Sequence, residues 1–344
     1  MKFRTWLSII TLFAIILILF IARHDLAIAW QLLDRVNIWI LLLMIPVQFI
    51  GYFSVGKILF SYLQSKGELV KVNSMTMARI ALELNFVNHA LPSGGVSGIS
   101  YSNWRFKHFG VPTSRTTMAQ VVRYSTTFGV YITLLLFSLL LLTVDGTISR
   151  FTVLSSSFIA GILLAGGFFG VYVIGSETRL KSFSQGLSKA INKFGQQILR
   201  RRKQLVSEEK FRGYFHALHL DYIELVEKPR DLVKPLIWAF VFNISEVLLF
   251  IIAFAALGQW VNPAPILIAY GIAGLAGFFV VTPGGAGAYE AIMISFLVTA
   301  GIGQGTAIAG ILLARVILII GTISSGYIFY QLALLRYGKN TDIS

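Results

Sequence analysis

The chain has 344 residues, of which 56% are hydrophobic and only 13% charged, and its mean hydropathy is +0.75. That composition excludes an ordinary water-soluble domain and is typical of a protein that crosses a membrane several times. The net charge of +14 fits cationic loops beside anionic lipid headgroups, so we expect no nucleic-acid partner, and the absence of cysteine excludes disulfides and thiolate metal sites.

Several apolar runs are long enough to cross a bilayer as helices, for which about 20 residues are needed. In chain order they are Trp6–Ala22, Val36–Leu63, Met118–Val144, Phe151–Ile174, Pro235–Leu257 and Thr306–Leu335. The first run lacks a small-residue cleavage site, so we predict a retained helix and not a removed signal peptide. Two further apolar stretches, Ser74–Ser100 and Pro263–Gly303, are interrupted.

Each interrupted stretch contains a segment that one continuous transmembrane helix does not accept at ordinary cost. Proline removes a backbone donor and glycine weakens a helix, so broken backbone at membrane depth survives only inside protein or beside a wet cavity. The first segment is Leu91–Gly95 and the second is Thr282–Glu290. The predicted helix-breaking residues are Pro92, Gly94, Gly95, Pro283, Gly284, Gly285 and Gly287.

The stretch Gly175–Lys234 is the main polar segment, with 13 Lys and Arg against 7 Asp and Glu. Apolar residues recur in it at helical spacing, which predicts an amphipathic helix or helical hairpin on the membrane surface. These residues are Phe211, Tyr214, Phe215, Leu218 and Tyr222. The alternative is a solvated linker that only sets the topology.

The distribution of basic residues predicts the orientation, because cytoplasmic loops carry the excess of Lys and Arg. Lys2, Arg105, the Gly175–Lys234 segment and Arg336 are placed inside, whereas the short Asp145–Arg150 loop is placed outside. We therefore expect a multi-pass protein of the cytoplasmic (inner) cell membrane with both termini inside.

This orientation makes Ser74–Ser100 begin and end inside and Pro263–Gly303 begin and end outside. Each is followed by a span that contains an arginine, Arg123 or Arg315. Two related elements of opposite orientation are typical of an inverted repeat. We predict an all-α integral membrane fold with about six full transmembrane helices and two broken re-entrant elements. The single membrane domain, 1–344, would comprise a first half (1–174), a basic cytoplasmic amphipathic loop (175–234) and a second half (235–335).

Ionisable side chains within the predicted membrane region are costly unless they are paired or hydrated, so they mark a candidate site. We expect Arg79 and Arg123 to face a polar cavity with Glu83, and Arg315 to pair with Glu290 or Glu246. An interfacial Arg79–Glu83 pair and a purely structural Glu290–Arg315 pair are the alternatives. The predicted lipid-headgroup residues are Arg79, Glu83, Asn88, Arg123, Glu290 and Arg315.

The predicted half-helices also have a chemical use, because a helix N-terminus presents free N–H groups and a positive dipole to a phosphate or carboxylate. The glycines could instead serve only close helix packing. His89 has no second histidine or acidic cluster at ligand spacing, so we expect no metal. The sequence contains no nucleotide-binding P-loop, and we expect no cofactor and no intrinsic catalysis.

The run PGGAGAYEA followed by AGIGQGTAIAGILLAR resembles the second signature of the flippase-like transmembrane-domain family, which includes the membrane part of lysylphosphatidylglycerol synthases. An asparagine before a Pro-x-Gly-Gly break is similar to the first signature. The matching residues are Asn88, Pro92, Gly94, Gly95, Pro283, Gly284, Gly285, Gly287, Glu290 and Arg315. The chain departs from many relatives at Val96–Ser97 and at Val122, where those relatives carry acidic residues.

The resemblance implies translocation or binding of an anionic or aminoacylated phospholipid, or of a polyprenyl-phosphate-linked lipid, across the cytoplasmic membrane. The sequence ends at Ser344, so we expect the stand-alone form without the aminoacyl-transferase domain. One alternative is a membrane subunit of a lipid-modifying, lysylphosphatidylglycerol synthase-like enzyme that works with a separate cytoplasmic transferase. Another is a secondary transporter of small solutes. Homo-oligomer formation stays open.

Overall fold

The protein is described by a computed structural model that covers residues 13, 16–17, 20, 23–32, 36–91, 96–144, 150–197, 207–277 and 287–337. Every regular element in these ranges is helical. They are α1 (Arg23–Leu32), α2 (Ile38–Leu42), α3 (Met44–Ser65), α4 (Ser74–Ala90), α5 (Val96–Lys107), α6 (Thr113–Val144), α7 (Arg150–Ile174), α8 (Glu177–Gln197), α9 (Glu208–Glu227), a 3₁₀ turn (Pro229–Leu232), α10 (Val233–Ala256), α11 (Pro263–Gly277), α12 (Ala288–Thr299) and α13 (Gln304–Tyr337).

Five stretches of helix among the described residues are long and apolar enough to cross a membrane. They are Ile38–Ser65, Thr113–Leu140, Thr152–Ile174, Pro229–Ala256 and Gln304–Tyr337. They coincide with five of the six predicted spans, and most of the remaining one, Trp6–Ala22, lies outside the described residues. The prediction of an all-α membrane protein is confirmed.

Each interrupted stretch contains two described helices, α4 and α5 in the first and α11 and α12 in the second. After α4 ends at Ala90, Leu91 adopts an extended backbone with φ −101° and ψ 120°. On the far side of the second interruption, Gly287 has φ +89°, a conformation that favours glycine because it has no Cβ. Pro92, Gly94, Gly95, Pro283, Gly284 and Gly285 lie outside the described residues.

The helices α3 and α10 lie side by side and run in opposite directions. At one end, Lys66 Nζ after α3 lies 2.8 Å from Asp231 Oδ2 before α10. At the other end, the Asn37 backbone N–H donates to the Ala256 carbonyl over 2.8 Å. The first long helix of one half is therefore antiparallel to the first long helix of the other half.

The same order of elements occurs in both halves: a long helix, two short helices around an interruption, and another long helix. The packing partners also correspond, because α4 packs against α13 and its counterpart α11 packs against α6. Antiparallel leading helices and matched neighbours are what an inverted repeat requires. The division of the chain at residues 174 and 235 stays a prediction.

Each pair of short helices contributes to one apolar core. The first core joins α4 and α5 to the ends of α3 and α13, with Phe86 and Phe106 fully buried. The second joins α11 and α12 to α10 and α13. Glycines bring α13 close to its neighbours: a Cβ on Gly310 would lie 2.2 Å from the Phe254 ring, and one on Gly326 would lie 2.5 Å from Phe86 Cβ. Small residues at such crossings allow close approach.

The basic segment contains two helices, α8 and α9, that pack against each other. The apolar face of α9 that the spacing predicted for the membrane surface contacts the protein instead. Leu218 is buried in the first core, and Phe215 and Tyr222 pack against that core. The helical spacing therefore identified an apolar face correctly. That face is covered by protein because α9 packs along α6.

Candidate functional site

The second interruption is followed by a buried ion pair. Arg315 Nε on α13 donates to Glu290 Oε1 on α12 over 2.5 Å, and both side chains are buried. The other carboxylate oxygen, Oε2, accepts the backbone N–H of Gly287 over 2.7 Å. Glu290 therefore fixes the start of α12 and an arginine of the next helix at once. Of the two predicted partners of Arg315, Glu290 forms the ion pair.

Arg315 also lies against an aromatic ring. Its guanidinium carbon is 4.3 Å from the centroid of the Tyr289 ring, which is cation–π geometry. Removing one member of a buried ion pair leaves the other charge uncompensated and costs about 3–5 kcal/mol. Glu290, Arg315 and Tyr289 thus form a rigid group at the membrane-buried start of α12.

A second buried carboxylate, Glu83 on α4, lies before the first interruption. Glu83 Oε2 accepts hydrogen bonds from Arg105 Nε at 2.8 Å and from Tyr101 Oη at 2.9 Å, both on α5. These contacts join the two short helices of the first half across the interruption. The expected grouping of Glu83 with Arg79 and Arg123 is wrong in its partner, because Arg105 satisfies the carboxylate.

Arg79 is exposed, and its guanidinium carbon lies 5.9 Å from the centroid of the Phe329 ring on α13. Its charge acts on Glu83, but the hydrogen bonds of that carboxylate go to α5. The predicted alternative of an Arg79–Glu83 ion pair is therefore not the arrangement found.

Arg105 is the buried partner of Glu83, which the sequence did not predict. Its position in the chain suggests a cytoplasmic loop cation, yet it is 4% exposed and its guanidinium carbon lies 4.4 Å from the Tyr337 ring centroid. The signal was its position at the end of the helix that follows the interruption, where it faces the preceding half-helix. Charge counting along the chain assigns such an arginine to topology and overlooks its partner.

Asn88 sits beside the first interruption and contacts α5 closely. A Cβ added to Gly98 would lie 1.9 Å from Asn88 Oδ1, so only glycine fits opposite this amide. Both side-chain polar atoms of Asn88 are buried without a hydrogen-bond partner in the described part of the chain. A buried amide without partners is costly, which makes Asn88 a group that a ligand could satisfy.

Arg123 on α6 is half-buried and connects to the first interruption through side chains. Its Nη1 donates to Gln120 Oε1 at 3.1 Å, and Gln120 Nε2 donates to Ser102 Oγ on α5 at 2.9 Å. Its guanidinium carbon lies 4.9 Å from the Tyr124 ring centroid. These contacts position the guanidinium without an acidic partner among the described residues, so its charge is available to an anion.

His89 on α4 lies within electrostatic range of both Arg123 and Arg315, which come from opposite halves. Its Nδ1 lies 2.8 Å from the Asn85 carbonyl oxygen. Among the predicted headgroup residues, the structure therefore pairs Glu290 with Arg315, whereas Glu83 pairs with Arg105 on α5.

One intramembrane carboxylate has no such partner. Glu246 on α10 lies close enough to Arg315 and Tyr270 for their electrostatic interaction, and within the described residues it forms no hydrogen bond. Tyr270 also lies within range of Arg123. This region therefore contains charges of both signs. In the described ranges, no group of three or more His, Asp or Glu side chains is arranged to hold a metal ion.

A different polar cluster ties the basic segment to the bundle. Arg115 on α6 lies 3.0 Å from both Asp221 Oδ1 and Glu224 Oε2 on α9, and Lys66 Nζ lies 3.3 Å from Glu224 Oε1. Burial raises the pKa of the Asp221 carboxyl. This effect is larger than the opposite effect of the Arg115 charge, which lowers that pKa. Burial also raises the pKa of Glu224, but Arg115 and Lys66 outweigh it, so that pKa lies below its ordinary value.

The chain matches a known family of membrane proteins, in agreement with its helical architecture. The model of the family described as the lysylphosphatidylglycerol synthase TM region matches residues 6–326. No curated protein matches the chain, and no solved structure does. The match covers both interruptions and nearly all of the described helices. The chain therefore belongs to the lysylphosphatidylglycerol synthase transmembrane-region family.

Proposed function

We propose that the protein binds a phosphate-bearing lipid and moves its headgroup across the cytoplasmic membrane. The lipid would be an anionic or aminoacylated phospholipid, or a polyprenyl-phosphate-linked lipid. The supporting observation is that Arg315 contacts the start of α12 through Glu290, while Arg123 connects through Gln120 and Ser102 to α5 and has no acidic partner among the described residues. Guanidinium groups suit phosphate because their fork of N–H donors matches its oxygens.

Glu290 gives this site a release step. Its carboxylate already occupies the two features that a phosphate would use, the Gly287 N–H at a helix start and the Arg315 guanidinium. A headgroup phosphate would therefore compete with Glu290 for Arg315. The carboxylate restores the ion pair when the headgroup leaves, and this prevents the arginine from holding its ligand permanently.

The other polar groups divide the remaining roles. Asn88 has buried amide atoms without partners and would bind the headgroup beside the first interruption. Arg79, exposed near the beginning of α4, would make the first contact with an arriving headgroup, and Glu83 would hold α5 in place through Arg105. The acyl or prenyl tails stay in the surrounding lipid. The sequence carries no P-loop, so movement would follow a gradient or be passive scrambling.

The test is translocation of fluorescent phosphatidylglycerol in liposomes that contain the purified protein, measured by chemical quenching of the outer leaflet. We expect Arg123→Gln to slow translocation strongly. Arg336→Gln is the matched control, because Arg336 is an exposed arginine at the end of α13 and lies outside the site. The proposal is wrong if the wild-type protein moves no anionic lipid, or if both variants behave alike.

The family description supports a second candidate, a membrane subunit of a lipid-modifying enzyme. It predicts lipid modification only when a separate cytoplasmic transferase is added. The same liposomes, supplied with cytosol and a radiolabelled amino acid, distinguish the two candidates. Label in the lipid together with absent translocation supports the subunit. Translocation in liposomes without cytosol supports the transporter.

A further inference from the structure

Helix α9 has an apolar row on the side that faces away from the bundle. Leu220, Ile223 and Val226 are 53%, 40% and 59% exposed. Their spacing of three residues keeps them together on the outer side of the C-terminal half of α9, while Leu218 and Leu225 are buried on the inner side. The helix therefore has two apolar faces, and only the inner one is covered by protein.

The C-terminal half of α9 lies level with the end of a spanning helix. His219 Nδ1 is 2.6 Å from the carbonyl oxygen of Ile174, the last residue of α7. Beside it, a Cβ on Gly175 would contact the Tyr222 ring at 3.7 Å. One short 3₁₀ turn then leads from α9 into the spanning helix α10. These contacts place the row at the boundary between hydrocarbon and headgroups.

The exposed row continues the apolar surfaces of the two spanning helices that adjoin it. Near the end of α7, Phe168 and Phe169 are exposed, and near the start of α10 Val233 and Ile237 are exposed. Exposed apolar side chains on spanning helices contact lipid. An apolar row that extends such a surface at the same depth is covered most simply by the same bilayer.

Cations surround this row. Lys228, Arg230 and Lys234 follow α9 directly and are exposed, and the Arg179 guanidinium carbon lies 3.8 Å from the Tyr172 ring centroid at the end of α7. The exposed acid nearest along the chain is Glu227. Apolar side chains bordered by lysine and arginine are typical of helices that lie in the interface of anionic membranes.

We propose that the C-terminal half of α9 is a membrane-binding surface that inserts Leu220, Ile223 and Val226 below anionic lipid headgroups. Lys228, Arg230 and Lys234 bind the phosphates of those lipids. On the inner side of the same helix, Asp221 and Glu224 are ion-paired to Arg115 and Lys66, so the lipid contact is fixed to the ends of α6 and α3.

The experiment uses single cysteines in the full-length protein, whose sequence contains none of its own. Leu220→Cys, Ile223→Cys and Val226→Cys are each labelled with an environment-sensitive fluorophore. Gln185→Cys, an exposed polar position on α8, is the matched control. The labelled proteins are placed in nanodiscs of phosphatidylcholine, with or without phosphatidylglycerol.

We expect blue-shifted emission and quenching by lipid-attached quenchers at the three α9 positions, with larger shifts when phosphatidylglycerol is present. The Gln185→Cys label should report water in both lipids. A water-like signal at all three α9 positions would show that this face lies in water and not in lipid, and would overturn the proposal. Equal shifts in the two lipid mixtures would overturn its anionic component.

A charge variant tests the role of the cations separately. We expect Lys228→Gln, Arg230→Gln and Lys234→Gln together to remove the additional shift caused by phosphatidylglycerol while preserving the shift in phosphatidylcholine. Lys71→Gln with Lys107→Gln, two exposed lysines in other parts of the chain, should leave both shifts unchanged. If the triple variant keeps its response to phosphatidylglycerol, these cations do not bind the lipid. None of these results depends on whether the protein translocates lipid.

Discussion

Two carboxylates within the membrane region form ion pairs with arginines on neighbouring helices. Neither pairing could be predicted from the distance along the chain. Glu83 binds Arg105, which lies 22 residues later, although Arg79 is only four residues away. Glu290 binds Arg315, 25 residues later. In both cases the carboxylate sits in one of the short helices beside an interruption. Each ion pair joins a short helix beside an interruption to the helix that follows it.

The first prediction concerns the Glu290–Arg315 pair. We expect Glu290→Gln and Arg315→Gln to destabilise the protein by about 3–5 kcal/mol each, because each leaves one buried charge unpaired. The double variant should be less destabilised than the sum of the two. Thermal unfolding in detergent measures this coupling. Strictly additive losses would show that the pair makes no mutual contribution.

The second prediction concerns the contact of Asn88 with Gly98. Gly98→Ala should destabilise the protein, since the new methyl would overlap the amide that lies 1.9 Å from the ideal Cβ position. Asn88→Ala removes the obstacle, so Gly98→Ala in that background should have little effect. Gly129→Ala is the control, because nothing lies within 4 Å of a Cβ there. A loss of stability that persists without Asn88 would contradict this contact.

At the scale of elements, five of the six spanning helices that the sequence predicted are present among the described residues, because apolar length is a local property. The predicted Pro-Gly breaks stay predictions, because all of the helix-breaking residues except Gly287 lie outside the described residues. The sequence did not predict what covers the apolar face of α9. Leu218 and Tyr222 have the same spacing whether lipid or protein lies opposite. It also assigned Arg105 to a loop, because pairing across an interruption depends on how α4 and α5 fold back on each other.

The third prediction concerns the attachment of α9 to the bundle. The pKa of Glu224 is lowered, so its pairing stabilises the docked helix above the ordinary carboxyl range, near pH 4.3, and is lost as pH falls through the folded-state value. Asp221 has a raised pKa, so its ionised form does not supply this stability. The protection factors of the α9 amides, obtained by dividing the intrinsic exchange rate at each pH by the observed rate, should therefore fall in acid.

Two variants distinguish the contribution of Glu224 to this pH dependence from that of Asp221. Glu224→Gln should lower the α9 protection factors at neutral pH to nearly their values in acid and abolish most of their pH dependence. Asp221→Asn should retain the response. If Asp221→Asn removes the acid sensitivity and Glu224→Gln keeps it, the pKa assignment is reversed.

At the scale of the whole molecule, the two halves are built from the same series of helices, and their leading helices are antiparallel. The charge pattern of the sequence indicated opposite orientations, and the ion pair between Lys66 and Asp231 supplies the contact that brings the two leading helices together at one end. The electrostatic interaction of both Arg123 and Arg315 with His89 could not be predicted from local patterns, because it depends on packing between the halves.

The fourth prediction is the membrane sidedness of the whole molecule. Lys71→Cys and Gln185→Cys should react with a membrane-impermeant thiol reagent only when the cytoplasmic face is opened. Gln259→Cys, exposed beyond the opposite end of α10, should react from outside intact cells. Trp260→Cys should match Gln259→Cys. Reaction of Gln185→Cys in intact cells would reverse the orientation.

The antiparallel α3–α10 pair is held at both ends, by the Lys66–Asp231 ion pair and by the hydrogen bond from Asn37 to Ala256. Two helices joined at both ends cannot slide past each other or separate at one end without breaking one of these two contacts. We therefore expect this pair to stay fixed during the proposed lipid translocation, and the short helices α4 with α5 and α11 with α12 to move against it.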